Sequence, residues 1–140
     1  RLNPKSPLTK RTLAGVYVSK GGQALVDEAW DEAVHYLEQS HRLQPGSREA
    51  RALLVQAYLY RGFHRYNIGD LVGSKEDCLR GIALNAKVEG FHYILGVVYY
   101  QENQWAEAMK ELETVVQLNP ENEAAHALLA ELKKEANSLK

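Results

Sequence analysis

A three-residue segment recurs along the chain at nearly regular intervals. Its last residues lie 41, 41 and 34 positions apart, in the copies Leu2-Asn3-Pro4, Leu43-Gln44-Pro45, Leu84-Asn85-Ala86 and Leu118-Asn119-Pro120. A period of about 20 to 50 residues is typical of repeat proteins, in which one supersecondary unit buries its apolar face by stacking on the next. More than any other feature of the sequence, this recurrence restricts the fold to a series of similar units.

The stretches that precede the last three copies align with one another. They read EAWDEAVHYLEQSHRLQP, GDLVGSKEDCLRGIALNA and ENQWAEAMKELETVVQLNP. Each passes from a polar turn to a large residue, then to a small residue three positions on and a core residue four positions later. The large residues are Trp30, Leu71 and Trp105. The small residues are Ala33, Ser74 and Ala108, and the core residues are Leu37, Cys78 and Leu112. Such spacing lines one face of a helix, so each stretch is predicted to be helical, and we call these the B helices.

Further helices are predicted between the B helices, and we call these the A helices. The apolar pattern places them over residues 8–26, 47–67 and 88–101, and it places a last helix, with Glu and Lys on its far side, over 121–138. Ser47 is expected to cap the second A helix, because a serine side chain accepts hydrogen bonds from the free N–H groups at a helix start. No segment alternates with the period of two that is typical of strands, so the chain is predicted to be all-α.

The third A helix and the third B helix are near the limit of stability for isolated helices, which is about 12 to 15 residues. Gly96 on the first and Ala108 on the second remove side-chain bulk, which predicts a close crossing of the two helices. Four larger residues are expected to fill the space around the crossing: Leu95, Tyr99, Trp105 and Leu112. The stability of the pair is therefore expected to come from its own packing and from the neighbouring pairs.

Charge and composition exclude several classes of partner. A chain of 140 residues, 45% of them hydrophobic, suffices for one domain with a core, and a net charge of −1 gives no general attraction for nucleic acid. Five basic residues precede the first acid, Asp27, and we interpret them as solvated charges, with a docking edge as the alternative. No apolar run approaches the roughly 20 residues that span a bilayer, so no membrane insertion is expected.

The start of the chain is an Arg, and no signal-peptide pattern follows it. We interpret the sequence as a fragment of a longer protein and favour the cytoplasm as its compartment. Cys78 is the only cysteine, so no disulfide within the chain and no cysteine-based zinc site is expected.

No residue pattern typical of catalysis or of a cofactor site is present. The five histidines are scattered, without a His-Glu-x-x-His motif, and no glycine-rich phosphate loop occurs. Cys78 stands at a core position and is interpreted as a small buried hydrophobic residue. The pair Gly21-Gly22 lies inside an A helix, where close packing is the simpler explanation. We therefore predict no enzymatic activity, no cofactor and no metal site.

Arg61 and Arg65 are separated by one helical turn and share a face of the second A helix. Since a buried charge requires a partner, they are expected to pair with Asp70 or Asp77. The alternative is an anion site for the carboxylate of a ligand.

Residues 89–122 resemble the tetratricopeptide repeat (TPR), whose 34-residue helix–turn–helix pattern reads W-x2-L-G-x2-Y, then A-x3-F, A and P. His92 stands at the Trp position, and the other seven positions are acceptable: Leu95, Gly96, Tyr99, Ala108, Leu112, Val115 and Pro120. The second repeat departs from the pattern where Arg61 and Arg65 replace Leu and Tyr. The resemblance implies a right-handed superhelical TPR solenoid that forms a single domain over residues 1–140. Its repeats would span about 9–45, 47–86 and 89–120, followed by a capping helix over 121–138.

The resemblance also implies a concave groove, lined by the A helices, that binds a peptide or protein partner. Its ligand-facing positions are mostly aromatic and aliphatic in this chain, and the proposed groove residues are Leu59, Tyr60, Phe63, Tyr66, Tyr93, Ile94, Val97 and Tyr100. TPR domains that clamp the C-terminal carboxylate of chaperones use Lys, Asn and Arg at five positions. Those positions here hold Val18, Gly22, Tyr60, Gly90 and Ile94, so a chaperone cofactor role is not expected.

Three functional interpretations stay open at this point. The favoured one is a non-catalytic scaffold that binds an apolar or amphipathic segment of a partner protein in the aromatic groove. The second is an assembly or self-association module, including the possibility that the chain fills its own groove. The third is a regulatory segment of a larger protein. Nucleic acid is not an expected partner, because the groove lacks basic residues to meet phosphates.

Overall fold

Seven α-helices make up most of residues 3–139, the part of the chain that this computed structural model describes. The helices are α1 (Pro7–Val26), α2 (Trp30–Leu43), α3 (Arg48–Asn67), α4 (Leu71–Leu84), α5 (Glu89–Gln101), α6 (Trp105–Leu118) and α7 (Glu123–Ser138). No strand occurs among these residues, so the predicted all-α class is confirmed. The interpretations of Arg1 and Leu2 fall outside the described residues.

The predicted helices agree with the observed ones. The A helices are α1, α3 and α5, the B helices are α2, α4 and α6, and the A helices and α7 begin and end within two residues of their predicted bounds. Ser47 caps α3 as expected, since its Oγ accepts a hydrogen bond of 3.2 Å from the N–H of Ala50. Ser6, Asp70 and Asn122 cap α1, α4 and α7 in the same way.

Each A helix ends in the same backbone turn. The residue after the C-cap has a left-handed φ in all three turns: 57° at Glu28, 87° at Gly69 and 60° at Asn103. In each turn this residue donates its N–H to the carbonyl three residues back, and the next residue donates to the carbonyl five residues back at 2.8 or 2.9 Å. These two bonds define the Schellman motif. The recurrence in the sequence is therefore also a recurrence of backbone geometry.

The three-residue segment that recurs in the sequence forms a turn of its own. The Oδ1 atoms of Asn3, Asn85 and Asn119 each accept a hydrogen bond of 3.0 or 3.1 Å from the N–H two residues later. An asparagine bonded in this way closes a turn of the chain. Asn85 and Asn119 thereby end α4 and α6, and Asn3 makes the same turn ahead of α1.

The chain divides into two compact units at a boundary inside α3, between Arg61 and Gly62. In the N-terminal unit, α1 packs closely on α2 at Gly21, where a Cβ atom would lie 2.5 Å from Leu37 Cγ. The buried Ser40 Oγ also donates to the carbonyl of Ala14 at 2.9 Å. The packing interpretation is thus confirmed for Gly21 but wrong for Gly22, which has open space around its Cα.

In the C-terminal unit, the predicted crossing of α5 and α6 is confirmed. A Cβ atom on Gly96 would lie 2.9 Å from Leu112 Cγ and 3.6 Å from the carbonyl oxygen of Ala108. The core of this unit continues from α6 to α7, and its buried residues are Ala108, Leu112, Val115, Ala125, Leu129 and Leu132. The predicted Tyr99 and Trp105 pack against this core.

Candidate functional site

A cavity of about 550 Å³ lies in the N-terminal unit. Its walls come from α1, the turn after it, α2 and α3, and the lining residues are Gly22, Leu25, Val26, Glu28, Trp30, Leu53, Gln56 and Tyr60. The size suits one or two side chains of a peptide, because ligand sites in proteins typically hold a few hundred Å³. Gly22 has open space beside its Cα atom because it forms part of the cavity wall.

Two aromatic rings form part of the cavity wall. The rings of Trp30 and Tyr60 lie 5.3 Å apart between centroids at an interplanar angle of 33°. Gln56 lies one helical turn before Tyr60 on α3, and its Nε2 donates to the tyrosine hydroxyl at 3.4 Å. Tyr60 still exposes 42% of its surface. The wall therefore offers a fixed aromatic surface that is open to solvent.

Glu28 is the only charged residue among the described residues that line the cavity. It occupies the left-handed position of the turn between α1 and α2, with φ of 57°. Its neighbours Asp27 and Asp31 are engaged elsewhere, because Asp27 accepts a hydrogen bond from Gln23 and Asp31 pairs with Arg61. The Glu28 carboxylate makes no hydrogen bond or ion pair within residues 3–139.

The proposed groove residues fall in both units. In the N-terminal unit Tyr60 lines the cavity, whereas Leu59 is half-buried and lies outside its lining. In the C-terminal unit Phe63 is 55% exposed, and Tyr66, Tyr93, Val97 and Tyr100 are half-buried. Ile94 exposes only 6% of its surface, so its side chain belongs to the interior of the unit and offers little area to a partner.

Two of the groove tyrosines are held by hydrogen bonds within the C-terminal unit. Gln101 Nε2 donates to the Tyr66 hydroxyl at 2.7 Å, which joins α5 to the end of α3. The Tyr100 hydroxyl donates to Glu131 on α7 at 3.2 Å, and its ring meets Trp105 edge-on at 5.4 Å. The negative charge of Glu131 raises the pKa of the Tyr100 phenol. Both rings are therefore fixed in orientation.

Arg61 and Arg65 both form ion pairs. Arg65 Nη1 lies 3.2 Å from the buried Asp77 carboxylate, and its Nε lies 3.9 Å from Asp70, so the pairing is confirmed for this residue. Arg61 Nη1 lies 3.2 Å from Asp31 of α2, a partner that the sequence analysis did not name. Arg61 therefore links α3 to α2, and Arg65 links α3 to α4.

Cys78 and His92 are buried polar groups of the C-terminal unit. Burial raises the pKa of the Cys78 thiol to about 12, which leaves it protonated and a poor nucleophile near neutral pH. The ring of His92 bonds on one side to Glu111 at 2.7 Å and on the other to the Ala86 carbonyl at 2.8 Å. Both groups are thus used in packing, as the sequence suggested for Cys78.

Residues 3–139 contain neither a cluster of metal-ligating side chains nor a membrane-spanning helix. No group of three or more His, Cys, Asp or Glu side chains is placed to hold a metal ion. No helix within the described range combines the length and the apolarity needed to cross a bilayer.

Part of the cavity was not predicted from the sequence. Trp30 was expected to be a packing residue of a B helix, and no binding role was predicted for Glu28 or Gln56. A signal was available, because an acid at a turn position where the other two repeats carry Gly and Asn departs from the expected turn chemistry.

Comparisons with known proteins agree with this fold. A family model described as TPR repeat matches residues 96–135. The Arabidopsis OM64 TPR domain is 17% identical, with a TM-score of 0.60 over 90% of this chain and 98% of that one. The first TPR domain of Spaghetti (RPAP3), bound to the HSP90 peptide SRMEEVD, is 21% identical with a TM-score of 0.57 over 90% and 94% of the two chains.

The second TPR domain of human RPAP3, in complex with the HSP70 peptide SGPTIEEVD, is 18% identical, with a TM-score of 0.54 over 91% of this chain and 98% of that one. No curated protein matches in sequence. The family match covers part of the chain, and the structural likeness extends the same fold over about nine-tenths of it. Residues 96–135 thus match the tetratricopeptide repeat, and the chain has the all-α fold of TPR domains over about nine-tenths of its length.

Proposed function

We propose that the chain is a non-catalytic interaction module whose A helices bind an apolar or amphipathic segment of a partner protein. The observation that carries this proposal is the exposure of two large aromatic side chains on one A helix, with Tyr60 at 42% and Phe63 at 55%. Exposed aromatic residues are enriched in binding surfaces, because they supply much contact area with few rotatable bonds. The cavity beside Tyr60 adds a recess for a side chain of the partner.

The proposed partner differs in charge from the peptides of the similar structures. The two RPAP3 domains hold peptides that end in the acidic sequence EEVD. The five positions that form a carboxylate clamp in the resembling family hold no basic residue in this chain, as Val18, Gly22 and Gly90 illustrate. An acidic C-terminal peptide would therefore lose its ion pairs here. An apolar segment fits the aromatic and aliphatic positions better.

The proposal is tested by binding of the purified chain to an array of amidated peptides with apolar and amphipathic sequences. The test variant is Tyr60→Ser with Phe63→Ser, since both side chains are exposed and contribute little to the core. Leu79→Ser is the matched control, because Leu79 is 53% exposed on α4, a B helix. We expect the double variant to lose binding while its helicity stays unchanged, and the control to bind as the wild type does. Equal binding by the double variant would refute the groove proposal.

A second candidate function, assembly with copies of itself, is favoured by the aliphatic surface of α1. Leu8 is 74% exposed, and Leu13 and Val16 on the same helix are also exposed. Exposed apolar side chains on one helix of a repeat array are suited to stacking on another copy or on a further repeat. A molar mass in light scattering that stays at the monomer value as concentration rises would exclude self-association.

A further inference from the structure

We propose that the cavity of the N-terminal unit binds a cationic side chain, arginine or lysine, that lies beside an aliphatic residue in the partner's segment. This inference rests on the proposed function and specifies the chemistry of the partner at that site. It depends on three features of the cavity: its aromatic wall, its single carboxylate and its aliphatic remainder.

The aromatic wall suits a cation. The rings of Trp30 and Tyr60 lie 5.3 Å apart, and the hydrogen bond from Gln56 fixes the tyrosine. An ammonium or guanidinium group over the face of such a ring is attracted by the ring quadrupole, most strongly over tryptophan. A planar guanidinium also stacks on an aromatic face with its N–H groups free to bond at its edge.

The carboxylate of Glu28 supplies the matching charge. It is the only charge among the described lining residues, and it has no partner within residues 3–139, whereas the nearby Asp31 is paired with Arg61. A cation that entered the cavity would form an ion pair with Glu28 without breaking an existing one. A carboxylate of a ligand would meet repulsion at the same place, so the cavity discriminates by charge.

The left-handed backbone conformation of Glu28 supports a binding role for its side chain, because the turn alone would favour another residue type. The equivalent turns of the C-terminal unit place Gly69 and Asn103 at the left-handed position, and these two residue types tolerate it best. Glutamate is disfavoured there, and its carboxylate gains no compensating hydrogen bond or ion pair from the described residues. Binding of a cation would explain why a glutamate occupies this conformationally unfavourable position.

The rest of the lining accepts the aliphatic neighbour of the cation. Leu25, Val26 and Leu53 are apolar, and a cavity of about 550 Å³ exceeds the volume of one arginine side chain. The methylene stem of Arg or Lys packs on apolar surface while the charged end reaches its partner. A basic residue next to a leucine or isoleucine therefore fits better than either alone.

The inference is tested with an immobilised positional library of acetylated and amidated dodecapeptides, which excludes any contribution from chain termini. Wild type is compared with Glu28→Gln, and Glu32→Gln is the matched control, because Glu32 is an exposed acid in the first turn of α2 outside the lining. We expect the wild type and the control to select Arg or Lys beside an aliphatic residue. Glu28→Gln should select the aliphatic residue without the basic one.

The selected peptide and its citrulline analogue are then titrated by fluorescence anisotropy. Citrulline keeps the shape of arginine and removes its charge. We expect the Kd to rise about fivefold with citrulline or with Glu28→Gln, as for ion pairs partly exposed to solvent, and no further when both changes are combined.

The outcomes separate this inference from the function on which it rests. Selection of aliphatic residues without a basic preference overturns the inference and leaves the proposed function intact. A basic preference that survives Glu28→Gln, or that disappears equally in Glu32→Gln, overturns the assignment to Glu28. The absence of any selected peptide overturns the proposed function together with the inference.

Discussion

Replacement of Glu28 by glycine is expected to stabilise the protein. Glu28 is the left-handed residue of the Schellman turn that ends α1, with φ of 57°. A residue with a Cβ atom crowds the following carbonyl in this conformation, at a cost of roughly 1–2 kcal/mol, and glycine has no such cost. The turn itself should persist, because its two hydrogen bonds, to the carbonyls of Leu25 and Ala24, use only backbone atoms.

The expected gain is smaller than the relieved strain. Glycine increases the conformational freedom of the unfolded chain, which lowers the free energy of unfolding by roughly 0.4–1 kcal/mol. The carboxylate contributes no hydrogen bond or ion pair with residues 3–139 that would be lost. The net gain is therefore about 1 kcal/mol. With an unfolding entropy near 2.1 cal/mol/K per residue, a chain of 140 residues should show a rise in Tm of about 3 °C.

The assay is thermal and urea unfolding followed by far-ultraviolet circular dichroism. Asn103→Gly is the matched control at the equivalent turn, and its gain should be smaller because asparagine tolerates left-handed φ. Gly69→Ala is the reverse change and should lower Tm, since it introduces a Cβ atom at a φ of 87°. A Tm for Glu28→Gly that is equal to or below the wild-type value would refute the reasoning, provided that Gly69→Ala behaves as expected.

Three further predictions concern helix packing and buried groups in the two units. Gly96→Ala should lower the free energy of unfolding by about 1–3 kcal/mol, because its Cβ atom would lie 2.9 Å from a leucine of α6. Gly15→Ala, with nothing within 4 Å, should instead raise it by about 0.5–1 kcal/mol, and a loss there would contradict the packing argument. Urea titration measures both.

Because burial raises the pKa of Cys78 from 9.0 to about 12, the unfolded thiol loses its proton first as pH rises. Stability should therefore be complete below pH 9 and decline toward pH 12, with a slope from this group of at most about 1.4 kcal/mol per pH unit. Cys78→Ala should remove that share of the slope in urea titrations at several pH values, and an unchanged slope would contradict the assignment.

Arg65→Met should lower the free energy of unfolding by roughly 3 kcal/mol, because it removes an ion pair from a fully buried aspartate. Lys75→Met, at a more exposed pair, should cost less than about 1 kcal/mol, and equal losses would argue against the burial effect.

The helices could be predicted from the sequence because their signals are local. Apolar residues three and four positions apart fix which face of a helix is buried, and Ser47 marks the start of α3 within the first turn. The crossing of α5 and α6 was predictable for the same reason, since Gly96 and Ala108 are small residues on faces that the periodicity already directs inward. Arg65 also pairs with the expected partners, because Asp70 and Asp77 follow it closely in the chain, at the start of α4 and within it, after the short turn that ends α3.

The candidate site was less predictable because it depends on the exact orientation of side chains from different helices. Ile94 was assigned to the groove by its repeat position, but its side chain is buried, with 6% of its surface exposed. One partner of Arg61 is Asp31, at 30 positions' separation, and no periodicity within one helix identifies such a pair. The cavity was missed for the same reason, since Gly22, Trp30 and Gln56 come from three helices.

Stability and recognition make opposite demands on Glu28, which allows the two roles to be separated in one variant. If Glu28 served only the turn, Glu28→Gly would improve the protein without loss, since glycine suits the left-handed position better. If the carboxylate binds a cation, the same variant should unfold at a higher temperature and bind the arginine peptide less tightly. Glu28→Gln keeps the backbone strain and removes only the charge, so it should weaken binding without raising Tm. A stability gain in Glu28→Gly accompanied by unchanged binding would leave the strained glutamate unexplained and reject a functional role for its charge.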